Sequence, residues 1–500
     1  MTVERPNSLT STMATLHPIE AFTVPSEAVF KSGCRLEGSF YGSDGYRAAR
    51  ALFRSGFDLR ELGAHALVFN PPIFKRTYVN DNVHGIPYLT RSALLEARPA
   101  KDTFLSKSLT ACLEDLSIRE GMVLISDSGT VGRTVLATRD IDGWVSTNNL
   151  IRVLSNHREA FSQEFFYTYL VSQVGEYLLT RNTYGSVVEH IDPLHVRRIL
   201  FPVLPRRLRE RLTEMIREVS RLQVEANALL DEAEAEVQRQ CGLPDIEELV
   251  PKVREGTLSG ASVYVVPSTN VLSTENRFGS IRLDATYYDP VAAKLRQLIL
   301  ESGGVELASV LRGVRNSRLR KRIYVDDPSA GVPMIGGKQL VQVRPTDVSY
   351  LSRVLTRGVE SETVQSGWTL VSCGGTLGRT LFVHRNFEGW AVSQHVMRLT
   401  PNESWIWPGF LYAFMASPFG QVQIAQRSYG SVIPELRDFQ FKSIAISLPE
   451  DRGKSIHDTV IRAYDCRADA RDLEDEAIRL FETAIEEGKE ATEQKWGREY

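Results

Sequence analysis

Two stretches of the chain place apolar side chains at alternating intervals of four and three. The first runs through Leu208, Leu212, Met215, Val219, Leu222, Ala226, Leu229, Ala233 and Val237. The second runs through Ile456, Val460, Ala463, Cys466, Ala470, Leu473, Ala477, Leu480 and Ala484, with one three-residue step out of turn. This spacing predicts a coiled-coil helix over 206–241 and another over 450–488. Gly242 and Pro244 stop the first, and Gly488 closes the second. A helix with one apolar stripe cannot bury it alone, so the two are expected to pair antiparallel. About 35 residues at 1.5 Å each make a rod of about 50 Å.

Ahead of each seam the period changes to that of short strands. Gly121-Met-Val-Leu-Ile-Ser-Asp-Ser-Gly-Thr-Val-Gly-Arg133 reads as strand, tight turn, strand. It returns as Gly367-Trp-Thr-Leu-Val-Ser-Cys-Gly-Gly-Thr-Leu-Gly-Arg379, an offset of 367 − 121 = 246. Tyr78, Gly85, Pro87, Arg98, Pro99 and Trp144 find Tyr324, Gly331, Pro333, Arg344, Pro345 and Trp390 at the same offset. Phe22-Thr-Val-Pro-Ser26 answers Tyr264-Val-Val-Pro-Ser268, and Tyr184-Gly-Ser-Val187 answers Tyr429-Gly-Ser-Val432. The chain is a tandem duplication whose period is too long for a solenoid.

Each copy begins with a short helix, about 44–62 and about 289–303. Short strands follow to about 154 and 400. An aromatic-rich helix comes next (Phe165, Phe166, Tyr169, Leu170 and Tyr177; Phe410, Leu411, Phe414 and Met415), then a last strand ending at Pro205 or Pro449. The expected fold is α+β, two tandem α/β domains each followed by a long helix. The expected division is a flexible arm over 1–20, a first domain over 21–205, its helix over 206–241 and a linker over 242–275. A second domain over 276–449, its helix over 450–488 and a frayed tail over 489–500 complete it.

Composition narrows the class. A hydrophobic share of 42% with 24% charged residues fits an ordinary soluble globular chain of more than one domain. No apolar run is long enough to span a membrane, and Met1–Pro18 lacks the apolar core of a secretory signal. Cys34, Cys112, Cys241, Cys373 and Cys466 are scattered and form no paired motif, which points to the reducing cytoplasm and away from a zinc site. The net charge of −3 hides an imbalance: residues 451–500 hold 14 acidic and 9 basic residues, net −5, so the other 450 are net +2. Local patches therefore matter more than the total.

The strongest patch is Arg312, Arg315, Arg318, Arg320, Lys321 and Arg322, with no acid among them. Lys75, Arg76 and Tyr78 stand at the matching place in the first copy, before Tyr324 in the second. Crowded cations repel one another unless an anion sits nearby, and a phosphate backbone is the usual one. A solvated loop paired to the acidic helices is the bland alternative; repetition at equivalent places favours DNA. Arg133 and Arg379 could contact nucleic acid or brace their turns, with bracing the simpler role. The glycine turns lack the Lys-Ser/Thr of a phosphate loop and run into a strand, so nucleotide binding is rejected. Asn70-Pro-Pro-Ile73 is similar to the Asn-Pro-Pro-aromatic signature of adenine methyltransferases, but its fourth residue is Ile, the other copy shows no counterpart and no cofactor-binding turn precedes it. It is read as a proline-bounded turn. His84, His190 and His395 read as structural, no residues form a catalytic or metal-binding constellation, and the chain is expected to bind no cofactor.

In its order of domain, long helix, domain, long helix, the chain resembles the specificity subunits of type I restriction–modification systems. The likeness spans about residues 22–487. It rests on Leu124-Ile-Ser-Asp-Ser-Gly-Thr-Val-Gly-Arg133 with Leu370-Val-Ser-Cys-Gly-Gly-Thr-Leu-Gly-Arg379, on the Tyr-Gly-Ser turns and on the Pro-ended strand before each helix. The resemblance implies two target-recognition domains, each reading half of a split DNA site, with the helices as a ruler. It implies double-stranded DNA and two methyltransferase subunits as partners, S-adenosylmethionine bound in those partners, a restriction–translocation subunit as an optional addition, and a cytoplasmic, non-catalytic role. The DNA-binding set is Lys75, Arg76, Tyr78, Arg133, Tyr184, Ser186, Arg315, Arg318, Arg320, Lys321, Arg322, Tyr324, Lys338, Arg379, Tyr429 and Ser431. The segments 1–34 and 243–275 exceed a minimal version. They leave open a related methylation-linked phage-defence complex, and a coiled-coil interaction scaffold is a third class.

Overall fold

The computed structural model describes residues 44–180, 190–249, 282–318, 321–342, 344–430 and 432–498, with isolated positions at 23, 24, 26, 29, 41, 42, 265, 266, 268 and 271. The expected arm over 1–20 lies outside the described residues.

The first domain opens with helix α1 (Asp44–Arg54). Its strands are β1 (Leu59–Glu61), β2 (Ala66–Phe69), β3 (Tyr78–Val79), β4 (Gly85–Leu89), β5 (Phe104–Ser106), β6 (Val123–Ser126), β7 (Thr134–Leu136), β8 (Val145–Ser146), β9 (Leu150–Ser155) and β10 (Leu200–Pro202). Helices α2 (Gln163–Val171) and α3 (Gln173–Thr180) lie between the last two strands. Two four-stranded sheets form, ordered β2-β9-β6-β7 and β3-β5-β4-β8, and β1 pairs with β10.

The long helix α4 (Arg206–Cys241) leads to the second domain, which opens with α5 (Pro290–Glu301). Its strands are β11 (Val305–Glu306), β12 (Leu311–Arg315), β13 (Tyr324–Val325), β14 (Gly331–Ile335), β15 (Ser349–Ser352), β16 (Thr369–Ser372), β17 (Thr380–Phe382), β18 (Ala391–Val392), β19 (Val396–Pro401) and β20 (Ala445–Ile446). Helices α6 (Pro408–Ala416) and α7 (Pro418–Arg427) precede β20, and the chain ends in α8 (Lys454–Trp496). The sheet orders repeat as β12-β19-β16-β17, β13-β15-β14-β18 and β11-β20.

The register repeats too. Leu124 faces Arg152 across β6 and β9, and Leu370 faces Arg398 across β16 and β19, both displaced by 246. The glycine hairpins are the same machine twice. The Ser126 N–H donates to the Arg133 carbonyl at 2.9 Å, and the Ser372 N–H to the Arg379 carbonyl at 2.8 Å. The Ser126 and Ser372 hydroxyls donate to the carbonyls of Thr130 and Thr376. Gly129 and Gly132 hold φ of +74° and +80°, and Gly375 and Gly378 hold +77° and +83°, a region that L side chains avoid.

Each sheet buries one arginine, and the copies neutralise it differently. Arg152 donates to the carbonyls of Asp115 (2.6 Å), Leu116 (2.5 Å) and Ser117 (3.0 Å) and pairs with no carboxylate among the described residues; burial lowers its pKa to about 10, opposed by the Asp115 charge. Arg398 pairs with the buried Glu362 carboxylate and with the Asn316 carbonyl at 3.2 Å. Burial also lowers the Arg398 pKa, opposed by Glu362.

Helices α4 and α8 run antiparallel. Gln240 donates to Ser455 at 2.8 Å, and Arg467 to Asn227 at 3.2 Å, so the end of one helix meets the start of the other. Leu208, Leu212, Met215, Val219, Ala226, Leu229, Ala233 and Val237 are buried, as are Val460, Ala463, Ala470, Ala477 and Ala484; Leu222, Leu473 and Leu480 are half-buried. The stripe faces more than its partner helix. Phe481 is fully buried and stands 5.7 Å from the Tyr169 ring and 6.4 Å from that of Phe165, while Tyr464 stands 5.3 Å from Phe382 and from Tyr412. Each domain is thus packed onto the coil. Phe481→Ala is expected to lower unfolding stability by about 3–5 kcal/mol, read as a shift in urea midpoint at constant m-value.

Glu474 lies in the same layer. It is buried and accepts from the Tyr167 hydroxyl. Burial pushes its carboxyl above the ordinary 4.5, offset in part by Arg344 and Tyr167. A raised acid pKa means that the folded state holds the proton longer. Stability is therefore lost as pH rises from about 4.5 through the folded value. Glu474→Gln is expected to remove that loss: thermal melts should show a gain over wild type that appears above pH 5 and is absent below pH 4.

The domains also meet each other. Arg133 of the first reaches Asp347 of the second at 2.5 Å, and Arg379 of the second reaches Glu96 of the first at 2.8 Å. The Ala97 N–H donates to the Val341 carbonyl at 2.7 Å. Arg98 pairs with Asp231 and with Glu234, on α4, and Arg344 pairs with Asp475, on α8, at 3.2 Å. A separation by the coil alone does not hold: inner loops close the space between the domains. They lean on the polar middle of the coil, where Asn227 donates to the Ala97 carbonyl at 2.8 Å.

Other sequence expectations are corrected. The helix expected to 62 ends at Arg54, because Leu59–Glu61 is claimed by β10. The aromatic helix is two helices in each copy, broken at Ser172 and Ser417. The expected linker begins inside the second domain, since Leu243 is buried in that core with Ile246 and Leu249 against it. Residues 489–496 are no frayed tail. Gly488 takes φ +81° and turns the chain, a Cβ there would lie 3.2 Å from the Ser55 carbonyl oxygen, and helix resumes to Trp496 against the first domain.

Candidate nucleic-acid interface

In the first domain the polypeptide leaves β2 at Asn70 and runs through Lys75 and Arg76 to β3. Lys75, Arg76 and Tyr78 are exposed. Among the described residues no carboxylate pairs with Lys75 or Arg76. Arg76 is held by its edge: Nε donates to the Tyr88 hydroxyl at 2.9 Å, and Nη2 to Thr147 Oγ1 at 3.2 Å and Asn148 Oδ1 at 3.3 Å. The basic loop is thus pinned to the loop between β8 and β9.

The second domain repeats the placement, with Lys321 and Arg322 246 residues after Lys75 and Arg76. Arg312, Arg315, Arg318 and Lys321 are exposed, and among the described residues none meets a carboxylate. Arg322 is half-buried, and its Nε is buried with no hydrogen-bond partner among the described residues. Arg320 lies outside them. Tyr324 is 52% exposed and Tyr78 56%, so each domain presents one tyrosine at the same place on its second sheet.

Three expected DNA contacts meet carboxylates in the free chain. Arg133, Arg379 and Lys338 are spent on the seal between the domains: Arg133 also holds Glu176 at 2.7 Å, and Lys338 holds Asp347 at 2.5 Å. The carboxylates that Arg133 and Arg379 meet lie across the domain boundary, apart from Glu176 in the first domain, rather than within their own turns. Tyr429 is held by its own loop. It is half-buried, its hydroxyl accepts from Arg437 at 2.7 Å and lies 3.1 Å from the Glu435 carboxylate, and Arg437 covers its ring at 5.5 Å. The Tyr429 and Glu435 backbones bridge at 3.1 and 2.7 Å, closing a small loop that presents Val432 at 90% exposure. Tyr184, Ser186 and Ser431 lie outside the described residues.

The sequence reading passed over a second group of residues. Asn70 and Asn316 are related by 246, so the asparagine has a counterpart even though its prolines do not. Asn70 Nδ2 donates to Asp127 Oδ2 at 3.0 Å. The other oxygens, Asn70 Oδ1 and Asp127 Oδ1, are buried with no partner among the described residues. Burial pushes the Asp127 carboxyl above the usual range, opposed by hydrogen bonds from Ser128 and Asn70. In the β8–β9 loop Asn148 Nδ2 donates to Asn149 Oδ1 at 2.8 Å. The matching loop of the second domain carries Gln394 and His395, both exposed, with Gln394 Nε2 3.1 Å from His395 Nε2. Asn316 Nδ2 donates to the Gln394 carbonyl at 3.3 Å. The repeat offset was the signal that could have found them. Each domain therefore ends its first sheet in a rim of hydrogen-bonding side chains beside a strip of cations.

No family model matches the chain, and no curated protein matches it. Solved structures similar to it are type I restriction–modification specificity subunits. That from M. genitalium is 10% identical, at a TM-score of 0.32, over 87% of this chain and 96% of that one. The HsdS subunit from Thermoanaerobacter tengcongensis is 15% identical, at 0.26, over 87% and 97%. A chain from a structure on complex assembly and conformational transition of the type I system is 14% identical, at 0.26, over 86% and 96%. Scores this low carry no argument; the duplication, the coil and the two rims do.

Proposed function

We propose that this chain is the DNA-recognition subunit of a methylation-linked restriction or defence complex. Its two domains read the two halves of a split duplex site. The observation that supports this most directly is the repetition of one arrangement, a polar rim flanked by exposed cations, on two domains fixed to opposite ends of an antiparallel helix pair. Helix α4 has 36 residues, about 54 Å of helix, which is about one and a half turns of B-form DNA. Phosphates would meet Lys75, Arg315, Arg318 and Lys321, and this contact sets register rather than sequence. Methyl transfer, with its S-adenosylmethionine, belongs in this reading to partner subunits, which would hold the flipped base.

The test is protection of duplex DNA from hydroxyl radicals by the full chain with its methyltransferase. Two short protected tracts with an open gap are expected. One continuous tract, or equal protection of unrelated sequences, would overturn the reading in favour of a scaffold or a non-specific binder.

A further inference from the structure

We infer that a repeated turn, Ser106–Thr110 in the first domain and Ser352–Thr356 in the second, is the point at which each domain seats its methyltransferase partner, through an apolar pocket with an acidic edge. This inference rests on the DNA-recognition reading above and adds to it the surface that the partner grips.

The turn follows β5 in one domain and β15 in the other. Its sequence is Ser106-Lys-Ser-Leu-Thr110 and Ser352-Arg-Val-Leu-Thr356, again 246 residues apart. Both copies are built alike. The Ser106 N–H donates to the Thr77 carbonyl at 2.8 Å, and the Ser352 N–H to the Ile323 carbonyl at 2.8 Å. The Thr110 and Thr356 N–H groups donate to the carbonyls of Ser106 and Ser352, both at 3.1 Å. The Ser106 and Ser352 hydroxyls accept from the N–H groups of Leu109 (3.3 Å) and Leu355 (3.1 Å). Both serines and both threonines are buried, so the fold accounts for them.

The fold does not account for the leucines. Leu109 is 68% exposed and Leu355 61%. Each gives the turn its backbone N–H, which any residue except proline supplies. A single exposed leucine is ordinary. The same leucine at the tip of the same turn in both domains is not, because its neighbours have diverged: Ser108 stands against Val354, and Ala111 against Arg357. Val354 is 88% exposed, so the second tip is the more apolar.

An apolar anchor ringed by polar groups is what a protein interface places in its partner's pocket. A phosphate gains nothing from a leucine. The charge beside the tips points the same way. Lys107 and Arg353 are exposed at equivalent places, and neither pairs with a carboxylate among the described residues. Lys107 Nζ donates to the carbonyls of Asn82 at 3.3 Å and Val83 at 3.0 Å, which holds its charge beside the tip. A complementary pocket therefore carries carboxylates at its edge. Matching tips fit the same occupant, one copy to each domain. Thr77 and Ile323, to which the turns are bonded, directly follow Arg76 and Arg322 of the basic loops. A subunit seated on the tip stands beside the DNA held by that domain.

The experiment is calorimetric titration of the full chain with its methyltransferase, read as two sites. Leu109→Ser should weaken one site by roughly 10- to 30-fold and leave the other unchanged. Leu355→Ser should do the reverse, and the double variant should weaken both. Serine keeps the N–H that the turn uses, so thermal melts should match wild type. Arg353→Glu should weaken the second site only, and less so as salt is raised. Duplex binding by the chain alone should be the same in wild type and in the leucine variants. Two wild-type affinities in the double variant would overturn the docking assignment. So would a loss of duplex binding, which would make the tips DNA contacts, or a change in the sedimentation of the free chain, which would make them a self-association surface. An unchanged second site in Arg353→Glu would overturn the acidic edge. In these cases a two-tract footprint by wild type with its methyltransferase leaves DNA recognition standing. If wild type takes up no methyltransferase and protects no tract, the recognition reading itself fails.

Discussion

Glu362→Ala is expected to destabilise the chain by about 3–5 kcal/mol, because it strands a buried charge. Arg398 has no exposed surface, and Glu362 is the only carboxylate it meets among the described residues. Two of its guanidinium nitrogens, Nε and Nη1, already lack partners there, so the site cannot absorb the loss by rearranging its own hydrogen bonds. Urea unfolding should show an early transition confined to the second domain. The paired replacement Arg398→Met with Glu362→Leu removes both charges and is expected to be neutral or to stabilise by about 1–4 kcal/mol. Equal losses in the single and double variants would show that packing volume, not charge, dominates. The first domain gives an internal control. Leu116 stands at the position of Glu362, and the helix-end carbonyls there do the carboxylate's work for Arg152, so Asp115→Ala should cost far less.

The largest expected effect on binding comes from removing the exposed cations together. Lys75→Ala, Arg315→Ala, Arg318→Ala and Lys321→Ala in one chain should flatten the dependence of log K on log salt by about four. At physiological salt this corresponds to a loss on the order of 10³-fold in affinity. None of the four is paired to a carboxylate among the described residues, so little stability should be lost, about 0.5 kcal/mol each at most. Binding isotherms at two or more salt concentrations give the slope directly. An unchanged slope would remove these residues from the interface. By contrast, Arg133→Ala and Arg379→Ala should leave the slope alone and loosen the seal between the domains, visible as faster hydrogen exchange in the 91–99 and 337–347 loops.

Much of the architecture was legible in the chain. The 246-residue offset revealed the duplication, and local turn chemistry explains why: a Ser-x-x-Gly-Thr-x-Gly-Arg hairpin needs its glycines and its serine wherever it stands, so it survives in both copies. The heptad seams announced two paired helices, because a stripe of period 3.5 on one helix needs a matching stripe to cover it. The α+β class followed from alternating runs broken by turns. The basic loops were visible as charge density without counter-charge.

What remained hidden depends on neighbours far apart in sequence. Which carboxylate an arginine meets is decided in space, and Arg133 and Arg379 meet ones 214 and 283 residues away. The helical return after Gly488 depends on a carbonyl of Ser55. The residues Asn70, Asp127, Asn148 and Asn149 are scattered over 80 residues and meet only because β2 and β6 end, and antiparallel β9 begins, at the same end of one sheet. The sequence by itself determined the local elements and their duplication, since backbone turns and apolar periodicity act within a few residues. The tertiary structure alone decided which cations stay free and which polar groups converge, because Coulomb and hydrogen-bond partners are chosen by distance in space.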